Sequence, residues 1–307
     1  MSKSTEKLSL TVVILTYNEE IHIERCIRSL LPVVSKIFVV DSYSTDRTVE
    51  IAKSLGAEVV QRKWKNYAEQ FQWGLDSCGA DSAWVMRMDA DEYLEAVLQQ
   101  ELSKLLETMP VDVVGIYIRR KVYFLGKWMR YGGTYPQTLL RIWRNRCGRI
   151  EQRWMDEHVV LPAGSKAIMA QGNLVDENLK GLTFWINKCN GYASREMVDL
   201  LNSKYFLFEK DEALKAFDDL QAKWKRLMKD KVYSHMPIGL RAAAYFLYRY
   251  FVLGGFLDGS RGFLWHFMQG FWYRLLVDIK IMEIERKCVG DVEKMKKVLL
   301  AEHGIRL

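Results

Sequence analysis

Proline is scarce, at 5 of 307 residues, and no Gly/Ser-rich stretch marks a clean domain boundary. Cysteine is equally scarce. The five residues (Cys26, Cys78, Cys147, Cys189 and Cys288) are scattered, odd in number and free of CxxC pairs. That pattern argues against a disulfide framework or a zinc site and suits a reducing compartment. No G-x-G-x-x-G follows the first apolar run and no G-x-x-x-x-G-K-[ST] occurs, which weakens a dinucleotide-binding or P-loop reading. No internal repeat is visible. The opening Met1-Ser-Lys-Ser-Thr-Glu-Lys leads into a short apolar strand, not the core of a signal peptide.

A long uncharged run is missing too. The runs between Arg241, Arg249 and Asp258 are 7 and 8 residues, and Gly262 to Tyr273 gives 12. A simple membrane span needs about 20. What is present is ordinary globular usage, 49% hydrophobic and 27% charged, so disordered and fibrous classes drop out. The net charge of +7 is uneven. Ala213 to Lys287 holds 13 Lys or Arg against 7 Asp or Glu, a surplus of six. The same stretch carries "AAAYFLYRYFVLGGFL" and "GFLWHFMQGFWYRLL". Apolar helices with Trp, Tyr and interspersed Arg suit an anionic membrane surface. A buried helical hairpin or a homo-oligomer contact would read the same way. Nucleic acid is not expected, because no recognised motif accompanies the basic residues.

The first third alternates strands and helices. "LTVVILTY", "KIFVVDS", "AEVVQR" and "AWVMRM" read as strands, and "DVVGIYIRR" as a later one. Between them, Ile23, Cys26, Ile27 and Leu30 follow helical spacing, with Asn18 as the expected cap. Thr48 to Leu55 reads as a helix capped by Ser44 or Thr45 and ended by Gly56. Asn66 to Ser77 and Glu95 to Leu106 complete the helices. This order implies an α/β fold, a mainly parallel central sheet with helices on both faces. From Gly181 onward the pattern is mostly helical. Residues 1–180 are therefore expected to form a catalytic domain and 181–307 a helical C-terminal region.

In such a sheet, ligands sit at the carboxyl ends of the strands. Three of those ends are polar: Thr16-Tyr-Asn-Glu, Asp41-Ser-Tyr-Ser-Thr-Asp and Asp89-Ala-Asp-Glu. Asp89 and Asp91 are two apart, so in extended backbone both would face one way and share a divalent cation. Asp41 can accept a hydrogen bond from a base N–H or a ribose hydroxyl. Equally, it can be a turn residue.

"TVVILTYNEE", "VVDSYSTDRTVEIA", "NYAEQFQWGL" and "MRMDADE", in this order and spacing, resemble the family 2 glycosyltransferases with the GT-A fold. The resemblance covers roughly the first 180 residues. It is closest to bacterial enzymes of lipopolysaccharide-core, O-antigen and exopolysaccharide assembly. It implies a nucleotide-sugar donor, uridine diphosphate by default, a Mg²⁺ or Mn²⁺ cofactor, and inversion at the anomeric carbon. By resemblance, Thr16, Asn18, Glu19 and Asp41 fall at nucleotide positions, with Gln70 and Gln72 as polar donor-site residues. Asp89 matches the ribose- or metal-side acid and Asp91 the metal ligand. The base is expected in "RWMDEHVVL", at Glu157 with Asp156 as its rival, and His158 could be a third metal ligand, orient the base or pack structurally. Trp128 and Trp143 would line the site or pack against the sheet.

The acceptor implied is a lipid-linked saccharide or lipopolysaccharide core, met peripherally at the cytoplasmic face of the bacterial inner membrane. Two other classes remain open at this level. One is a glycoside hydrolase with two carboxylates. The other is a non-catalytic, membrane-associated scaffold keeping a degenerate transferase domain.

Overall fold

Val and Ile at successive positions suit a strand buried on both faces, and LTVVILT forms the central one. The computed structural model of the chain describes residues 9–79, 81–151, 158–208 and 239–305. Strand β1 (Leu10–Thr16) lies parallel to β2 (Lys36–Asp41) on one side and β4 (Trp84–Asp89) on the other. β3 (Glu58–Gln61) extends β2, again in parallel. Helices α1 (Ile23–Leu30), α2 (Thr48–Ser54) and α3 (Tyr67–Ser77) make the crossovers. Register sets Thr16 beside Asp41 and Leu15 beside Asp89. Three neighbouring strands thus end together.

Beyond β4 the direction alternates. β8 (Gln137–Arg144) inserts antiparallel between β4 and β6 (Val113–Phe124). β11 (Lys166–Glu177) runs parallel to β6, and β5 (Glu92–Leu94) closes the edge antiparallel to β11. The order is β3-β2-β1-β4-β8-β6-β11-β5, with β7 (Lys127–Met129) folded back on β6. A small hairpin, β9 (Arg149–Ile150) with β10 (Val159–Val160), stands apart from this sheet.

The period of two sorts the core. Val12, Ile14 and Val39 pack with Ile23, Ile27 and Leu30 of α1 and with Leu98 of α4 (Ala96–Thr108). Val13, Phe38 and Val40 face the other way, onto Ala68 and Phe71 of α3. Helices therefore cover both faces, as alternation requires. Trp143 is fully buried in this second cluster, 6.4 Å from the Phe71 ring, so it packs against the sheet.

Two caps differ from expectation. α1 begins at Ile23 with no side-chain cap, because Asn18 takes a left-handed turn at φ 54° and points its amide elsewhere. α2 is served by Asp46, whose Oδ1 accepts from Thr48 N–H at 3.0 Å, while Ser44 turns to Asp41. Asn66 does cap α3, accepting from Glu69 N–H at 2.8 Å.

The chain divides into two compact units. The sheet and its helices form the first. The second contains Tyr131–Gly133 and the chain from Gly181 onward. Its long helix α5 (Leu182–Tyr205) places Met197, Val198 and Leu201 against Ile284, Cys288, Met295 and Leu299. Those partners lie on the helices Tyr273–Cys288 and Val292–His303. The segment Leu240–His266 is more broken. A π-turn (Tyr248–Val252) and a 3-10 turn (Gly255–Asp258) separate its two short helices. Among the described residues no helix is long and apolar enough to cross a membrane. All five cysteines are free thiols.

Candidate active site

Asp41 ends β2 in full burial, so its charge needs donors from the protein. It has four. Thr16 Oγ1 donates to Oδ1 at 2.9 Å, and the Ser44 hydroxyl donates to the same oxygen. Ser44 N–H (2.9 Å) and Gln61 Nε2 (3.0 Å) donate to Oδ2. A carboxylate offers about four acceptor positions, and all are taken.

The left-handed turn at Asn18 lets its N–H reach Ser44 Oγ (2.8 Å) and its Oδ1 accept from Thr45 N–H (2.8 Å). Tyr43 is also left-handed, at φ 62°. Asn18 is held in its turn by these crossing bonds. Glu19 sits below. Its Oε1 accepts from Lys180 Nζ at 2.7 Å and its Oε2 from His22 Nδ1 at 2.6 Å. Leu179 N–H donates to His22 Nε2 at 2.7 Å, which assigns the ring proton to Nδ1. Glu19 thereby ties the first strand end to residues 179–180.

The β4 end is built around Asp89. Tyr67 OH donates to its Oδ1 at 2.7 Å, Arg141 Nη2 stands 3.5 Å from Oδ2, and Arg87 Nε stands 3.9 Å from Oδ1. Burial works against the charge, but Arg87, Arg141 and the Tyr67 bond outweigh it and hold the carboxyl well below the usual range. Its own N–H donates to Glu92 Oε2 at 2.9 Å. Glu92 is buried against Arg141. Burial pushes Glu92 up to about 8 against the pull of Arg141, and the Asp89 charge adds to the rise. Arg120 bridges onward to Asp176 at 3.2 Å. Cys26 lies beneath this turn. Burial first, then Glu92, Asp91 and Asp89, push its thiol well above the ordinary value, so it stays protonated.

Asp91 does not share the strand geometry expected for it. β4 stops at Asp89 and a turn carries Ala90-Asp91 into β5, so the pleat that would align i and i+2 is broken. Asp89 faces Tyr67 and the arginines, whereas Asp91 Oδ2 accepts from Asn178 Nδ2 at 3.0 Å. Among the described residues no three or more His, Cys, Asp or Glu side chains gather as a metal cage. His158 is not gathered with the two aspartates. It is largely exposed, with Nδ1 3.6 Å from Glu151 Oε2 in the β9–β10 hairpin. The donors at the β4 end are carboxylate oxygens. They fit a hard divalent cation that takes one or two carboxylates and fills its shell with water and phosphate oxygens.

Gln70 is fully buried and bonds Arg62 O (3.1 Å) and Ser42 Oγ (3.3 Å), bracing the turn after β2. Gln72 faces the hairpin, accepting from Ile150 N–H at 3.1 Å. Asp156 and Glu157 lie outside the described residues. Sequence reasoning passed over Tyr67, Glu92, Arg120, Arg141 and Asn178. Arginine inside two otherwise apolar strands, "VMRMD" and "LLRIW", was the available signal.

Comparison with known proteins gives this geometry a context. The sequence profile of glycosyl transferase family 2 matches residues 11–174, from β1 to β11. An uncharacterised glycosyltransferase of Rickettsia conorii is 29% identical over 264 residues, covering 84% of this chain and 86% of that protein. The lipopolysaccharide core biosynthesis glycosyltransferase LpsC of Rhizobium meliloti is 31% identical over 179 residues, 55% of this chain and 63% of that one. Among solved structures, the mannosyltransferase PcManGT of Pyrobaculum calidifontis, in complex with GDP-Man and Mn²⁺, shares the fold. Its TM-score is 0.50 at 15% identity, covering 91% of this chain and 88% of that one.

Proposed function

The chain belongs to glycosyl transferase family 2, and from that premise we propose an inverting, metal-dependent transfer from a nucleotide-sugar donor to a lipid-linked saccharide or lipopolysaccharide core. The observation that carries this reading is the row of three strand ends, where Thr16, Asp41 and Asp89 stand on adjacent strands. Likeness to LpsC, a lipopolysaccharide core enzyme by name, supports the acceptor class.

In this reading Thr16, Asn18, Glu19 and Asp41 receive the nucleoside, with Gln70 and Gln72 supporting the donor side. Asp89 stays ionised among its arginines and accepts a ribose hydroxyl or joins the metal. Asp91 is the principal ligand for Mg²⁺ or Mn²⁺, and water and phosphate oxygens complete the cation's shell. When bound, such a cation offsets diphosphate charge and stabilises the departing nucleotide. Glu157, with Asp156 as its rival, takes the acceptor hydroxyl proton as the sugar–oxygen bond forms. The acceptor is reached peripherally, at the cytoplasmic face of the bacterial inner membrane.

The test is a thermal-shift panel of nucleoside diphosphates with Mn²⁺ or Mg²⁺, followed by transfer assays. A uridine diphosphate at 100 times its Kd should add about 2.7 kcal/mol of stability. Asp91→Ala should lose the metal response and Glu157→Gln the transfer step. Full transfer by Asp91→Ala in the presence of metal would remove the metal assignment.

A further inference from the structure

Apolar side chains that face water collect in one short stretch of the second unit. Tyr248, Phe251, Val252, Phe256, Leu257 and Leu264 are between 44% and 71% exposed. They are carried by the π-turn Tyr248–Val252, the 3-10 turn Gly255–Asp258 and the helix Gly259–His266. Tyr250 joins these pieces. Its ring centroid lies 5.1 Å from Phe251, 6.3 Å from Phe256 and 5.7 Å from Phe263. Phe251 and Phe256 therefore belong to one patch although they sit on different turns. A water-exposed apolar patch on this scale marks a contact surface.

Its charge pattern selects the partner. From Leu240 to Val277 the one acidic residue is Asp258. It is buried and accepts from Tyr131 N–H at 2.9 Å. No carboxylate on this stretch faces water, so phosphate headgroups would meet no like charge. The arginines are mostly committed to the protein. Arg241 pairs with Asp278, Arg274 with Glu196, and Arg249 Nε donates to Gly132 O at 2.7 Å. Three of the four arginines from Leu240 to Val277 are thus held by protein groups.

We propose that this patch inserts into the headgroup–acyl boundary of a phospholipid bilayer, holding the chain on the membrane mainly by apolar burial. Aromatic and aliphatic side chains without carboxylates suit that boundary. The proposal goes beyond sugar transfer and does not need it, because attachment is read without donor or acceptor.

The experiment is flotation of the full chain with vesicles of phosphatidylcholine alone and of phosphatidylcholine with phosphatidylglycerol. Each is run at about 0.1 M and about 1 M salt, where screening lengths differ about threefold. Binding to both vesicles is expected, changing less than about threefold with salt. Phe251→Glu with Val252→Glu should weaken it about tenfold or more, and Leu257→Glu alone should weaken it in the same direction. Phe251→Leu with Val252→Leu should retain it. An unchanged thermal midpoint shows that each variant folds. No binding to neutral vesicles overturns the proposal. So does binding that vanishes at high salt and ignores the variants. A self-associated wild type that dissociates in the double variant, with no vesicle binding, assigns the patch to a second copy and equally overturns it. The Asp91→Ala protein should float like the wild type whatever becomes of its transfer activity.

Discussion

Tyr67 donates its hydroxyl to Asp89 at 2.7 Å while its ring lies 4.3 Å from the Arg87 guanidinium. Burial raises the Tyr67 phenol well above its ordinary value, so it remains a donor at any working pH. Tyr67→Phe keeps the stack on Phe71 (6.1 Å) and the cation–π contact but removes one bond to a charged acceptor. We expect the donor KM to rise about tenfold, since such bonds contribute about 1.5–3 kcal/mol. Steady-state kinetics beside a melting curve checks this. A lower melting temperature with unchanged KM would reduce Tyr67 to a packing role.

Arg141 is buried between Glu92, which it contacts across β8 and β5, and the ionised Asp89, 3.5 Å away. Removing Arg141 leaves the Asp89 charge short of a buried cation, which costs about 3–5 kcal/mol. Arg141→Met should show that loss in urea unfolding of the first unit. Adding Glu92→Gln should recover little of it, because burial already keeps Glu92 largely neutral and the amide accepts the same bond from Asp89 N–H.

His266 is buried, and that burial, with help from the Arg249 charge, lowers it to about 4. Its folded value lies below the unfolded one, so the unfolded chain takes up the proton first. The contribution is complete above about pH 6.5 and falls away down to about pH 4, by about 3 kcal/mol in total. Melting temperatures from pH 7 to 4 should fall more steeply for the wild type than for His266→Gln. Parallel slopes would contradict the burial argument.

Gly132 has φ 65°, and a Cβ there would stand 2.1 Å from His266 Cε1. Gly132→Ala combines backbone strain with overpacking and should destabilise the second unit by about 2–4 kcal/mol. Part of that should return when His266→Ala is added, as a double-mutant cycle would show.

The βαβ half of the sheet was legible because its signals are local. β-branched runs, helical spacing and turn residues each lie within a dozen positions. The Arg141–Glu92 pair was not, since 49 residues separate its members and only the antiparallel entry of β8 joins them. Asn18 misled for a related reason. Its side chain was free to cap forward, but Thr45 offered a better donor from another loop. For Asp89 and Asp91 the strand rule was sound, yet β4 ends at Asp89, two residues before Asp91. In the second unit, apolar runs announced helices. Which residues of those runs stay wet depended on where the π-turn Tyr248–Val252 and the 3-10 turn Gly255–Asp258 fell.

Asp41 has one further consequence. All four of its acceptor positions are filled by the protein's own donors, so in the proposed role a nucleoside bonding it would displace Ser44 or Gln61. Binding there is an exchange, and what it yields is the difference between two hydrogen bonds of similar worth. Asp41 would therefore add little to overall affinity. Its influence would fall on choice: a base whose donor matched the vacated position would be kept, and one whose donor did not would lose to the protein's own side chain.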